Sequence, residues 1–173
     1  MTYGEGLLLG IVQGLTEFLP ISSSGHLVVA GAVVGLRTPG VLVEVVLHVA
    51  TLVSVLIVYR KELIALARGL RQGARSAWGY VGLLAVGTVP AAIAGLALGD
   101  LVARAFESLP AVGVHFLLTG TVLWSSRFVS GGEGNRPTAV GAGGIGMAQA
   151  LALLPGISRS GTTVTAALWL GVT

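Results

Sequence analysis

A carboxylate, three consecutive hydroxyls and an imidazole stand close together in the stretch QGLTEFLPISSSGHL, as Glu17, Ser22, Ser23, Ser24 and His26. An imidazole within reach of a hydroxyl can act as a base toward it, or can accept a transferred phosphoryl group itself. Gln13 lies one helical turn before Glu17 and on the same face. A carboxylate at membrane depth needs a cation, a proton or a water-filled cavity beside it. Structural roles compete with each of these. Serines at such a turn serve as helix N-caps, a histidine in an apolar segment is often a hydrogen-bonded core residue, and Glu17 could be a protonated or Arg-paired group that fixes helix packing.

The same pattern returns near the other end of the chain. GIVQGLTEFLPISSSG, from Gly10 to Gly25, aligns without a gap to GMAQALALLPGISRSG, from Gly146 to Gly161. Gly10, Gln13, Leu15, Ile21, Ser22, Ser24 and Gly25 recur as Gly146, Gln149, Leu151, Ile157, Ser158, Ser160 and Gly161. The differences divide the chemistry. Glu17 corresponds to Leu153, Ser23 to Arg159 and His26 to Thr162, so one copy brings the acid and the imidazole and the other the guanidinium. Both SSSG and SRSG lead into apolar helical segments whose first N–H groups are free. Hydroxyls and free amides around Gly25 and Gly161 form an anion cradle, to which Arg159 adds a planar fork suited to phosphate.

The elements that position these groups belong to a membrane. Of 173 residues, 54% are hydrophobic and 10% charged, against about a quarter charged in an ordinary soluble domain. The net charge of +3 resides in connections between apolar segments rather than in a basic domain, so no nucleic acid is expected as a partner. The first basic residue is Arg37 and the early charge is Glu5, unlike a signal peptide. Without cysteine there is no disulfide and no thiolate metal site. A crossing takes about 20 residues, and three stretches come near that length: Pro39 to Tyr59, Trp78 to Gly99 and Leu109 to Ser126. The loop 60–77 carries Arg60, Lys61, Arg68, Arg71 and Arg75 against Glu62. Together with Arg127 and Arg136 it marks the cytoplasmic side, and the connection from Asp100 to Ser108 then lies outside.

Tyr3 to Leu19 stops at Pro20, and His26 to Leu36 would reach only roughly 16 Å as a helix. Each is half a crossing, so residues 3–36 read as a re-entrant hairpin, with its irregular turn lining a cavity. Residues 139–173 read as a second one. Three spans between the copies give them opposite orientations, and converging inverted broken helices are how membrane transporters build sites. The expected fold is a single all-α integral membrane domain over 1–173: a first repeat at 1–126, then the second hairpin, with the remainder of the second repeat absent. His48 and Glu44 share a helical face and could back the site or simply pack. His115 receives no role.

QGLTEFLPISSSGHL followed by PGISRSGTT resembles the two signature regions of the undecaprenyl pyrophosphate phosphatase family, the BacA-type bacitracin-resistance proteins. VEVVLHVATLVSVLIVYRKEL and GTVPAAIAGLAL between them are also similar. The resemblance implies a multi-pass enzyme of the bacterial cell membrane that removes the terminal phosphate from undecaprenyl pyrophosphate with a divalent cation, returning the carrier lipid to peptidoglycan synthesis. Carried onto this chain, Gln13 and Glu17 match the family's acidic pair, Ser22, Ser23 and His26 the Ser-rich turn, and Ser158, Arg159, Ser160 and Thr163 the second signature. Gln13 is an allowed variant that lowers the charge offered to a metal, and Ser24 stands where Thr is usual. Family members continue with further spans, so either this is a fragment, the favoured reading, or a partner supplies the missing wall.

The function expected is hydrolysis of a polyprenyl diphosphate, with Glu17, Ser23, His26 and Arg159 as catalytic groups. Ser22, Ser24, Gly25, Ser158, Ser160, Gly161 and Thr163 would bind phosphate, and Glu17 and Gln13 would hold Mg²⁺ or Ca²⁺. The nucleophile is either Ser23 activated by His26, or His26 itself. The alternative is an inverted-repeat transporter that flips the lipid phosphate. Partners are the lipid substrate and membrane lipid; a homo-oligomer is left open. The charge pattern puts the active site on the extracytoplasmic side, and finding Arg37 and Arg68 on one side of the membrane would overturn that.

Overall fold

The computed structural model describes residues 1–36, 41–129 and 136–172, which are helical with no strand among them. Thr2 starts α1 (Tyr3–Thr16) with a capping box: its hydroxyl accepts the Glu5 N–H, and the Glu5 carboxylate accepts the Thr2 N–H. Pro20 follows the end of α1, since its ring and missing N–H do not continue a helix. Ser22 then caps α2 (Ser23–Val33). The second copy of the motif builds the same device, with Ser158 capping α9 (Arg159–Trp169) after α8 (Ala139–Leu151) and its own irregular turn. α1 packs on α2 and α8 on α9. Each hairpin expected from sequence is thus a pair of short helices around a turn. Thr173 lies outside the described residues.

Between the copies run α3 (Val41–Val58), α4 (Arg60–Arg71), α5 (Arg75–Ala97), α6 (Gly99–Phe106) and α7 (Leu109–Ser125), the last continuing as a 3-10 turn over Ser126–Phe128. α5 and the Leu109–Phe128 segment are long and apolar enough to cross a membrane, and a third crossing is counted if α3 and α4 are one bent span. Of the expected first span, residues 39 and 40 are not described, nor is Arg37. Two connections expected as loops are helical. α4 turns by 72° from α3, and its Leu63, Ala67 and Leu70 fall on one face while Arg60, Lys61, Arg68 and Arg71 flank it, the pattern of an interfacial helix. α6 occupies most of the connection after α5.

Large apolar side chains face outward along these helices, with Leu96 91% and Val140 87% exposed. That much exposed hydrocarbon suits lipid and not water. Helix association in such a medium depends on close backbone packing, and α5 against α8 is the most extensive contact. A Cβ on Gly146 of α8 would lie 2.5 Å from the Gly87 carbonyl oxygen and 3.0 Å from Pro90 of α5. Gly143, three residues earlier, faces open space. Gly146→Ala therefore forces the helices apart, at a cost of about 1–3 kcal/mol. The purified variant should melt several degrees below the parent, whereas Gly143→Ala should not. Equal melting temperatures would show that this contact does not hold the helices together.

The two turns themselves touch. A Cβ on Gly25 would lie 2.7 Å from Cα of Gly156, and one on Gly161 would lie 3.1 Å from the Pro20 carbonyl oxygen. In the alignment of the copies, Gly156 is the counterpart of Pro20 and Gly161 that of Gly25. The two contacts are thus one contact made twice, with the copies exchanged.

Candidate active site

Ser22 ties the turns together. Its hydroxyl accepts the N–H of Gly25 at 3.4 Å, as an N-cap, and also the N–H of Gly156 across the interface at 3.1 Å. To do so its backbone sits at φ 69°, a left-handed conformation strained for a residue with a side chain. From the other side α7 clamps the second turn. Thr119 donates its hydroxyl to the Gly156 carbonyl at 2.7 Å and accepts the Ser158 N–H at 3.0 Å, while His115 Nδ1 meets the Pro155 carbonyl at 2.7 Å. His115, given no role from sequence, is a support of the turn. Gly156 itself has φ 94°, and a Cβ there would fall 2.7 Å from the Val112 carbonyl oxygen.

Around this junction lies a cavity of about 260 Å³. Thr16, Glu17, Ser22, Ser23 and Ser24 line it from the first turn, and Ser158, Arg159, Ser160 and Thr163 from the second, with His48 of α3 and Gln149 of α8 completing the polar wall. Of the residues given a site role from the sequence, eight border one space, and His48, which the sequence left between backing the site and packing, borders it too. Gly25 and Gly161 stand behind them, keeping the backbones close. Ser22 and Ser24 hydroxyls are 3.4 Å apart, and their counterparts Ser158 and Ser160 are 3.3 Å apart. α2 and α9 both begin at this cavity, so two sets of free N–H groups and two positive helix ends face it. Arg159, the first residue of α9, is exposed and makes no ion pair among the described residues.

Glu17 is the hub of the first turn. Ser23 donates its hydroxyl to Oε2 at 2.5 Å, Gln13 donates from Nε2 to the same oxygen at 3.0 Å, and His48 Nε2 is 3.6 Å away. Ser23 is therefore bonded to Glu17 and not to His26. His26 turns back instead, with Nδ1 on the Ser22 carbonyl at 2.7 Å and its ring edge against Phe116. Its counterpart Thr162 bonds the Ser158 carbonyl at 2.8 Å, so the two copies close their turns in the same way and His26 does not border the cavity. Gln13 differs from expectation too. It is 1% exposed, outside the cavity wall, and its amide N–H rather than its oxygen faces the carboxylate. Reversing the amide would set two acceptors against each other. As placed, Gln13 orients Glu17 and is itself held by Thr51 at 3.4 Å, which leaves its own Oε1 buried without a partner.

A hydroxyl bonded to a carboxylate, in a small polar cavity also bordered by a guanidinium and two helix N-termini, is equipped to transfer a phosphoryl group. A family model described as bacitracin resistance protein BacA matches residues 6–173. The chain belongs to the BacA family. It is 46% identical over 184 residues to the undecaprenyl-diphosphatase of Desulfosudis oleivorans, an alignment that covers 97% of this chain and 67% of that one. The undecaprenyl-diphosphatase of Carboxydothermus hydrogenoformans is 42% identical over 171 residues, covering 97% and 63%. Undecaprenyl-diphosphatase 2 of Bacillus thuringiensis is 39% identical over 174 residues, covering 96% and 64%. The chain spans about two thirds of the length of these relatives. Its apolar spans and its BacA membership make it a multi-pass membrane protein.

Proposed function

We propose that this BacA-family site removes the terminal phosphate of undecaprenyl diphosphate, leaving the monophosphate and inorganic phosphate, as the names of its relatives imply. The observation that carries the reading is the Ser23 hydroxyl bonded to Glu17 in a cavity that Arg159 also lines. Ser23 Oγ attacks the terminal phosphorus while Glu17 takes its proton, and the bridging P–O bond breaks with undecaprenyl phosphate as the leaving group. Arg159 and the N–H groups opening α2 and α9 stabilise the charge on the transferring oxygens. The proton held by Glu17 passes to the departing undecaprenyl phosphate, which frees the carboxylate. Water then attacks the phosphoserine as Glu17 takes its proton, and the P–O bond to Ser23 breaks, with that proton returned to Ser23 Oγ as phosphate leaves.

The divalent cation implied by the family fits Glu17. The carboxylate is 30% exposed toward the cavity and sits at the C-terminal end of α1, where the helix dipole adds negative potential. When bound there, a cation would neutralise phosphate charge. Gln149 borders both this cavity and an apolar groove of about 300 Å³ between α5 and α8, lined by Tyr80, Leu83, Leu84 and Ile145. That continuity suits a substrate with a polar head and a hydrocarbon tail. The reciprocal Gly25–Gly156 and Gly161–Pro20 contacts support an inverted pair of re-entrant hairpins, because exchange of roles is what a two-fold relation produces. The basic residues of α4, read as cytoplasmic, support a first hairpin that opens to the extracytoplasmic side. Transport alone would leave the Ser23–Glu17 bond without a use.

Glu17→Gln keeps the shape of the side chain and removes its basicity. Phosphate release from a short-chain polyprenyl diphosphate should fall about 10²–10⁴-fold in kcat, and turnover equal to the parent would remove the phosphatase reading.

A further inference from the structure

We propose that His48 Nε2 is a ligand of the divalent cation, paired with the Glu17 carboxylate; this rests on the cation reading above and names a second protein donor for it. His48 Nδ1 lies 2.8 Å from the main-chain carbonyl of Glu44, one turn earlier in α3. A ring nitrogen facing a carbonyl carries the proton, so in the neutral ring Nε2 holds the lone pair. Metal-bound histidines are oriented by this same arrangement, with the second nitrogen donating to a carbonyl. Nε2 points at Glu17 Oε2 from 3.6 Å. That separation is past hydrogen-bond reach, yet it suits two donors each about 2.1 Å from one shared ion.

Both groups are held from behind. Gln13 fixes Glu17 and is itself fixed by Thr51, whose hydroxyl also bonds the His48 carbonyl. Both line the cavity, with their side chains 39% and 30% exposed. No third His, Cys, Asp or Glu joins them among the described residues. The remaining coordination positions would then be filled by substrate phosphate oxygens and water, as is usual where a cation serves a phosphoryl transfer. One imidazole nitrogen beside one carboxylate also shifts the preference from Ca²⁺ toward Mn²⁺ or another transition ion.

The test is Mn²⁺ binding to the purified chain in detergent, followed by pulsed electron paramagnetic resonance. The chain has three histidines, so assignment is direct. Bound Mn²⁺ should show the modulation of a coordinated ¹⁴N, replaced by that of ¹⁵N when the unsubstituted protein is made with ¹⁵N-histidine. His48→Gln should abolish the modulation and weaken Mn²⁺ binding at least about tenfold, while His115→Gln keeps the modulation. The isotope arm does not depend on any variant folding. Mn²⁺ bound without nitrogen modulation, or modulation that survives His48→Gln, overturns His48 as a ligand and leaves the Glu17 cation intact. Failure to bind Mn²⁺ in a Glu17-dependent way overturns both.

Discussion

Ser23→Ala lowers kcat by about 10⁴-fold or more, the scale on which an enzyme loses a nucleophile, and leaves the affinity for the diphosphate lipid nearly unchanged. The hydroxyl is bonded to Glu17 and is not a cap, so its removal leaves the turn standing. Ser22 does the capping and also holds Gly156. Ser22→Ala should therefore lower stability as well as rate, through loss of both bonds at a strained residue. Phosphate release and lipid binding, measured on the same preparations, separate the two effects. A Ser23→Ala protein that retained most of its turnover would move the attack to another group.

Arg159→Ala is the second large loss, expected at about 10³-fold in kcat/KM. The guanidinium opens α9 and faces the cavity with no carboxylate to neutralise it among the described residues, so its charge is available to substrate. Lysine at this position restores a point charge without the planar fork and should recover only part of the rate. If Arg159→Ala turned over at the parental rate, the second turn would have no part in the chemistry.

The residues that make these effects large were visible in the sequence because the motif occurs twice. Ser22 and Ser158 cap their helices with matching bonds, Ser24 and Ser160 sit beside them in both copies, and the positions where the copies differ, Ser23 against Arg159, line the same cavity. Hydropathy likewise located α5 and α7. Spacing along the chain was less informative about which groups meet in space. His26 is closer in sequence to Ser23 than Glu17 is to His48, yet the turn at Ser22 directs His26 backward to a carbonyl and leaves Glu17 to Ser23.

His48, which the sequence left between backing the site and packing, comes to it from α3, and Thr119 and His115 come from α7, by packing between helices that no local pattern encodes. Gln13 matched the family's acidic pair, but its orientation depends on Thr51, far along the chain. The helical character of α4 was hidden by its charge. Five basic side chains between apolar segments read as a loop, although Leu63, Ala67 and Leu70 already lay at helical spacing.

The most direct measurement is the site of phosphorylation during turnover. Rapid quenching of the reaction with a polyprenyl diphosphate labelled at its terminal phosphate, followed by peptide mapping, should find an acid-stable phosphoester on Ser23. An acid-labile phosphoramidate on His26 would contradict the assignment of Ser23 and Glu17 as nucleophile and base.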